Sequence, residues 1–117
     1  MNITLEDIKD KMKDGMDKEK WVLFFKPTER TCIKFFLPHK DFAFIGRDNK
    51  KHVFPGNKYY KLEMQTFEKD SPFEQVMFDD YYDDFDEAAG WFYRQIQYCY
   101  KMYGRIYKPL MQWWRDD

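Results

Sequence analysis

The densest group of potential metal ligands is an acidic run that precedes the longest amphipathic segment of the chain. Its carboxylates are those of Asp79, Asp80, Asp83, Asp84, Asp86 and Glu87. Carboxylate oxygens bind hard cations such as Ca²⁺ and Mg²⁺. The run has neither the glycine nor the ligand spacing of an EF-hand, and no nuclease-type Asp…Glu-x-Lys arrangement accompanies it. A metal-dependent enzyme built on residues 79–87 is therefore the weakest of three hypotheses, and we assign no metal ligand and no cofactor.

Nucleophilic catalysis finds little support in the residue types and their spacing. The chain holds two cysteines and two histidines, Cys32, Cys99, His39 and His52, and none stands at a CxxC or comparable ligand spacing. Cys99 lies on an apolar helical stripe, where an inert buried thiol is expected. Phosphate-binding loops, nucleophile elbows and zinc-protease motifs are missing from the sequence. We therefore expect a protein that is not an enzyme and has no catalytic residue.

Two tyrosines interrupt the acidic run and give it the composition of a binding surface. Charged residues interleaved with aromatic ones suit a protein interface, although a solvated helix N-terminus accounts for the carboxylates alone. Carboxylates spaced along an element also imitate a phosphate backbone and can occupy a basic groove, as in small phage-type inhibitors. The sequence favours a protein-binding module, an inhibitor or immunity-type protein, that engages an intracellular protein. Its predicted contact residues are Asp79, Asp80, Tyr81, Tyr82, Asp83, Asp84, Trp113 and Trp114.

A second surface candidate is basic and lies in the middle of the chain, over residues 47–61. Its members are Arg47, Lys50, Lys51, Lys58, Tyr59 and Lys61. Cations that contact phosphate beside rings that stack on bases are typical of single-stranded nucleic-acid binders. Lysines also protect the edge of a sheet from pairing with other chains, which is the plainer interpretation. A nucleic-acid-binding protein is the alternative function.

Length and composition favour one domain over residues 1–117. The chain has 117 residues, a net charge of −1 and an aromatic content of 21%, so a core built largely from rings is expected. The first twenty residues are charged throughout, which argues against a secretory signal, and no apolar run is long enough to span a bilayer. We expect a cytoplasmic protein with free thiols, present as a monomer or a homodimer.

The predicted class is α+β, with a short N-terminal helix, an antiparallel meander of four to six strands and a long C-terminal helix. Thr4 and Asp7 form a capping pair at the start of the first helix, and Gly15 is the expected stop. Predicted strands cover residues 21–25, 32–37, 42–45, 51–54, 58–67 and 75–78. Short turns between strands require antiparallel pairing. In the fifth strand, Tyr60, Leu62 and Met64 should be buried, and Lys61 should face water.

The long helix is predicted from apolar residues spaced alternately four and three apart. They are Phe85, Ala89, Phe92, Ile96, Cys99, Tyr103, Ile106 and Leu110. Asp84 should cap this helix, and Pro109 should end it near Lys108. We expect it to cross one face of the sheet. Further rings fall outside the stripe, in the lines Trp91, Tyr98, Met102 and Tyr93, Tyr100, Tyr107, and they predict a helix that is sandwiched, dimerises or binds a partner.

Overall fold

The centre of the protein is an antiparallel sheet. A computed structural model describes residues 3–45, 49–54, 56–65, 75–78 and 81–113. The elements in chain order are α1 (Leu5–Asp17), β1 (Val22–Thr28), β2 (Thr31–Phe36), β3 (Phe42–Ile45), β4 (Lys51–Phe54), β5 (Tyr60–Gln65), β6 (Gln75–Phe78), α2 (Phe85–Tyr103) and β7 (Lys108–Trp113). The strand order in the main sheet is β6-β5-β2-β1-β7, and β3 and β4 form a separate hairpin. The predicted α+β class, with two helices and antiparallel strands, is confirmed.

Both faces of the main sheet carry apolar side chains. Leu23, Phe25, Ile33, Phe35 and Leu37 pack with α1 and α2 in one core cluster. The alternate residues Val22, Phe36, Tyr60 and Leu62 form a second cluster. Successive side chains of a strand point to opposite faces, so each strand contributes to both clusters. The second face of the sheet is therefore partly buried and not uniformly wet.

Lys61 departs from the predicted alternation, because it is only 8% exposed rather than in water. It pairs with Phe35 of β2 in the strand ladder, and its side chain donates a hydrogen bond to Gln95 of helix α2. The expected wet face of β5 is the face on which α2 lies. Lysine has a long apolar stem, so it can cover neighbouring rings and still place its ammonium beside polar partners.

The first helix begins as predicted and ends later than predicted. The Thr4 amide donates to Asp7 Oδ2 at 2.9 Å and the Asp7 amide donates to Thr4 Oγ1 at 3.1 Å, which completes the capping box. Gly15 was expected to stop the helix, but it lies inside it and is buried. A Cβ at Gly15 would come within 2.6 Å of the Lys20 carbonyl oxygen, so this position requires glycine for close packing.

The second helix also begins as predicted, and its predicted end near Lys108 is wrong. The Asp84 side chain accepts a hydrogen bond from the Glu87 amide at 2.9 Å. The helix stops at Tyr103 because Gly104 adopts a left-handed conformation with φ 75°, which costs glycine nothing sterically. Residues 108–113 then pair with β1 as strand β7. Pro109 is tolerated there because β7 is an edge strand.

Candidate functional site

One end of the main sheet brings together segments that are far apart in the sequence. Trp113 pairs with Val22, Val22 pairs with Phe36, and Phe36 pairs with Tyr60. These four residues therefore lie in one row across β7, β1, β2 and β5. Neighbouring strands are separated by about 4.8 Å, so Trp113 and Tyr60 lie about 14 Å apart along the row.

The described part of the acidic-aromatic segment, residues 81–84 of 79–84, lies at this same end of the sheet. Tyr59 and Tyr82 exchange two backbone hydrogen bonds of 2.8 Å each, which fixes residues 81–84 beside the start of β5. The structure therefore places both described parts of the predicted partner surface, Trp113 and residues 81–84, at one end of the sheet. Asp79, Asp80 and Trp114 lie outside the described residues.

The four described residues of the acidic-aromatic segment have different roles. The half-buried ring of Tyr82 packs on Trp91 with 4.9 Å between ring centroids, and Asp84 caps α2. Tyr81 is 39% exposed. Asp83 is exposed and accepts a hydrogen bond from Lys58 Nζ at 2.7 Å. Tyr82 and Asp84 thus stabilise the fold, whereas Tyr81 and Asp83 present their side chains to solvent.

A row of rings supports Tyr81 from beneath, and we call it the aromatic row: Trp21, Phe36, His39, Tyr60 and Tyr81. Phe36 and Tyr60 stack in parallel with 4.7 Å between centroids. Tyr81 meets Tyr60 edge-on at 5.4 Å, and Trp21 meets His39 at 5.7 Å. Only the two ends of the row reach solvent substantially, since Trp21 is 36% and Tyr81 39% exposed. The row therefore holds two exposed rings in fixed positions.

Burial governs the ionisation of the polar members of the aromatic row. It lowers the pKa of His39, although the Lys40 carbonyl oxygen, 2.5 Å from Nδ1, acts in the opposite direction. It also raises the pKa of Tyr60 well above its ordinary value, with help from Tyr81 and Asp41. Both rings are therefore neutral at pH 7, so the row is an uncharged packing element.

Sequence reasoning placed Tyr81 in a candidate site and missed the rest of the aromatic row. Trp21 reads as the start of a strand and His39 as a turn residue. The Leu37 amide donates to the Trp21 carbonyl at 2.7 Å, which extends the β1–β2 ladder by one pair and brings Trp21 near His39. The sequence predicts the two strands, but not the register that places Trp21 beside Leu37.

The described members of the predicted basic surface have different environments. Lys50 and Lys51 are exposed, Lys58 contacts Asp83, and Arg47 lies outside the described residues. Tyr59 is only 4% exposed, and its hydroxyl donates to Met16 Sδ at 3.9 Å. Tyr59 is therefore not available to stack on a base in this conformation.

Lys61, the last member of that set, lies beneath α2 in a polar cluster with Glu63, Gln95 and Cys99. Its Nζ donates to Gln95 Oε1 at 3.2 Å and lies 3.7 Å from Glu63 Oε2. Burial raises the pKa of the Cys99 thiol to about 11, and Glu63 adds to this rise while Lys61 opposes it. The thiol is thus protonated at neutral pH and is a poor nucleophile.

The described residues also give no support to thiol or metal chemistry. Burial also raises the pKa of Cys32, the second free cysteine. Within the described ranges, no three or more His, Cys, Asp or Glu side chains are grouped so that they could hold a metal ion. Among the described helices, none combines the length and the apolar character that crossing a membrane requires.

A shallow cleft of about 370 Å³ lies between α1 and the start of β7. Its lining residues are Ile3, Asp7, Asp10, Lys11, Pro109 and Leu110. The Asp7 carboxylate is already bonded to the Thr4 amide, so it is committed to the cap of α1. Asp10 and Lys11 are the other charged residues of its lining.

The outward side of α2 carries the largest exposed apolar side chains of that helix. Tyr98 is 58% and Met102 57% exposed, one helical turn apart. Arg94 and Lys101 are exposed beside them. Of the extra rings predicted for this helix, Trp91 is buried, and Tyr93 and Tyr100 pack against the core.

Comparisons of the chain with protein-family models, curated proteins and solved structures gave no match.

Proposed function

We propose that this protein is a non-enzymatic protein-binding module that acts in the cytoplasm. Its contact surface is the sheet-end surface, which comprises Trp21, Tyr81, Asp83 and Trp113. An inhibitor or immunity-type protein works in this way, by covering a functional surface of another protein. The two buried free thiols suit a reducing compartment.

The observation that carries the proposal is the exposure of Trp21 and Tyr81 at the two ends of the aromatic row. Each keeps more than a third of its surface in solvent while its inner side is packed. Trp and Tyr anchors dominate the binding free energy of many interfaces. Because packing already restricts these rings, little side-chain entropy is lost when a partner covers them.

Charge at the same end of the sheet indicates the chemistry of the partner. Asp41 is exposed, as is Asp83, whose charge Lys58 offsets in part at 2.7 Å, and the sequence adds Asp79 and Asp80 just before Tyr81. The complementary surface is therefore basic, with apolar recesses for two rings. A protein groove that binds nucleic acid has this character, because it is lined by cations that contact phosphates.

The experiment is affinity capture from host lysate with the wild-type chain and a Trp21→Ala/Tyr81→Ala variant. The matched control is Tyr107→Ala, because Tyr107 is 50% exposed and lies just before β7, whose other end carries Trp113. Loss of the captured protein in the double variant but not in the control supports the proposal. Equal capture by all three chains, each shown to be folded by circular dichroism, overturns it.

Nuclease treatment of the lysate separates the protein-binding proposal from the alternative of nucleic-acid binding. The alternative has less support, because Tyr59 and Lys61 are buried. If it holds, the protein shifts labelled oligonucleotides with an affinity that falls steeply as salt rises. Capture that survives nuclease, with no shift at low salt, favours the protein partner.

A further inference from the structure

The outer face of α2 is a surface separate from the sheet-end surface. It consists of Glu87, Gly90, Arg94, Tyr98, Lys101 and Met102, which recur three or four residues apart and therefore share one side of the helix. All are exposed except Gly90, which is half-buried. Tyr98 and Met102 each leave more than half of their surface in water, so this face presents apolar area to solvent.

Charge on this face is divided between its two ends. Glu87 stands in the first turn of α2, and from residue 88 to residue 113 the chain has no Asp or Glu. Arg94 follows at the middle of the face, Lys101 in the last turn and Arg105 two residues past the end of the helix, and none of them forms an ion pair with any residue that the structure describes. The N-terminal end of α2 is therefore acidic, through Asp86 and Glu87, and its C-terminal end is basic.

A surface of this kind is complementary to itself when two copies are antiparallel. In a two-fold symmetric contact, residue i of one copy meets residue j of the other, and j meets i. The acidic first turn of each copy then faces the basic end of the other. A helix face with charges of only one sign would repel a second copy, whereas the two ends of α2 carry opposite charges.

We propose that two copies of this chain pair through the outer faces of α2, antiparallel, with the two-fold axis between Arg94 and Tyr98. In that register the Arg94 guanidinium of each copy lies over the Tyr98 ring of the other, a cation–π contact made twice. The acidic first turn of each copy, with Glu87, lies near the basic C-terminal end of the other, where Lys101 is in the last turn of α2 and Arg105 follows the left-handed Gly104. The contact from Glu87 to Met102 is about 22 Å long at 1.5 Å per residue.

Gly90 supplies the steric part of this pairing. In the proposed register it faces Met102 of the other copy. Arg94 Nη1 lies 3.5 Å from where a Gly90 Cβ would be and no other atom is within 4 Å, so the space above Gly90 is open once the guanidinium turns to cover the Tyr98 ring of the other copy. The flexible Met side chain can fill such a gap. Each large exposed side chain of the face thus has a defined position against the second copy.

The test is sedimentation equilibrium of the full chain over a range of protein concentrations, with charge-reversal variants. The wild type should show a monomer–dimer equilibrium. Glu87→Lys and Arg105→Glu should each raise Kd at least about tenfold, and the combined variant should return Kd to within about threefold of the wild type. Glu6→Lys is the matched control, since Glu6 is an exposed acid in the first turn of α1.

Three results would overturn the pairing. They are a wild-type chain that stays monomeric at every concentration, a dimer that both single variants leave intact, and a combined variant that stays weak although circular dichroism shows it folded. Trp21 and Tyr81 are not in this contact, so a monomeric chain that still captures its partner separates this failure from that of the proposed function. A dimer would present two sheet-end surfaces and bind a paired partner with higher avidity.

Discussion

Replacement of Phe92 by alanine should cost more stability than any change on the outer side of the same helix. Phe92 is 0% exposed. Its ring stacks on Phe35 with 4.2 Å between centroids and lies 5.2 Å from Trp91. Rigid aromatic neighbours cannot collapse into the space that the ring leaves, so the cavity persists. Core Phe→Ala changes cost about 3–5 kcal/mol, and the lost ring pairs place Phe92→Ala near about 4–5 kcal/mol.

The size of this effect is large against the whole stability of the domain. At about 0.05–0.15 kcal/mol per residue, a chain of this length has roughly 6–18 kcal/mol of unfolding free energy. With a urea slope of about 2 kcal/mol per M, the unfolding midpoint should fall by roughly 2 M. Equilibrium urea unfolding followed by tryptophan fluorescence measures both quantities.

The matched control is Tyr98→Ala, which removes a ring from the outward side of α2. Since Tyr98 is 58% exposed, its loss should change the unfolding free energy by about 0.5 kcal/mol or less. The measurement uses the lowest protein concentration that fluorescence detects, so that self-association contributes little. A Phe92→Ala cost below about 1 kcal/mol, or an equal cost for Tyr98→Ala, would refute the assignment of the two helix faces.

Three further changes test the helix ends and the buried histidine. Asp84→Ala should cost about 1 kcal/mol in urea unfolding, and Asp84→Asn much less, because asparagine also caps the Glu87 amide. Gly104→Ala should cost about 1 kcal/mol from backbone strain alone, since its Cβ would meet nothing within 4 Å; no loss would contradict the left-handed stop. Burial lowers the pKa of His39 in the folded protein, so the unfolded chain binds more protons and stability should fall as pH drops below about 6.5. His39→Gln should flatten this dependence more than His52→Gln does, and an unchanged slope in His39→Gln would show that His39 is not its source.

The start of each helix was predictable from sequence because its stabilising contacts are local. Thr4 and Asp84 bond to amides three residues away, so a window of a few residues contains the whole signal. The hairpin of β1 and β2 is local in the same sense. Local hydrogen bonds and turns therefore fixed the elements that were predicted well.

The end of α2 was not predictable because two residues after it continue the helical pattern for a different reason. Leu110 keeps the spacing of the apolar stripe and is 5% exposed. It reaches the same core from strand β7, which pairs with β1 almost ninety positions earlier in the chain. Gly104 is the true stop, but an isolated glycine in a helical pattern is often tolerated. The competing signal, Pro109, is accommodated by the edge of the sheet.

The binding role of residues 79–84, Trp113 and Trp114 stays a prediction, and the structure shows only where the described ones lie. Tyr81 and Asp83 are on the surface, and Trp113 lies at the same end of the sheet, but nothing in the sequence connects Trp21 or His39 with them. Composition identified the residue types of an interface, whereas the sheet register decides which of them lie together. Tyr82 shows the limit, because its ring packs on Trp91 although its neighbour Tyr81 is exposed.

The surplus of rings on α2 is the feature that burial explains only in part. Trp91 packs between Tyr82 and Phe35, so one line of rings serves the core. Tyr93 packs against the core as well. Tyr98 and Met102 have no such contact in the described structure, and hydrophobic burial gives no reason to keep them at exposed positions. Changes at these two positions should therefore affect association and leave folding nearly unchanged, which is the opposite of the expectation for Phe92.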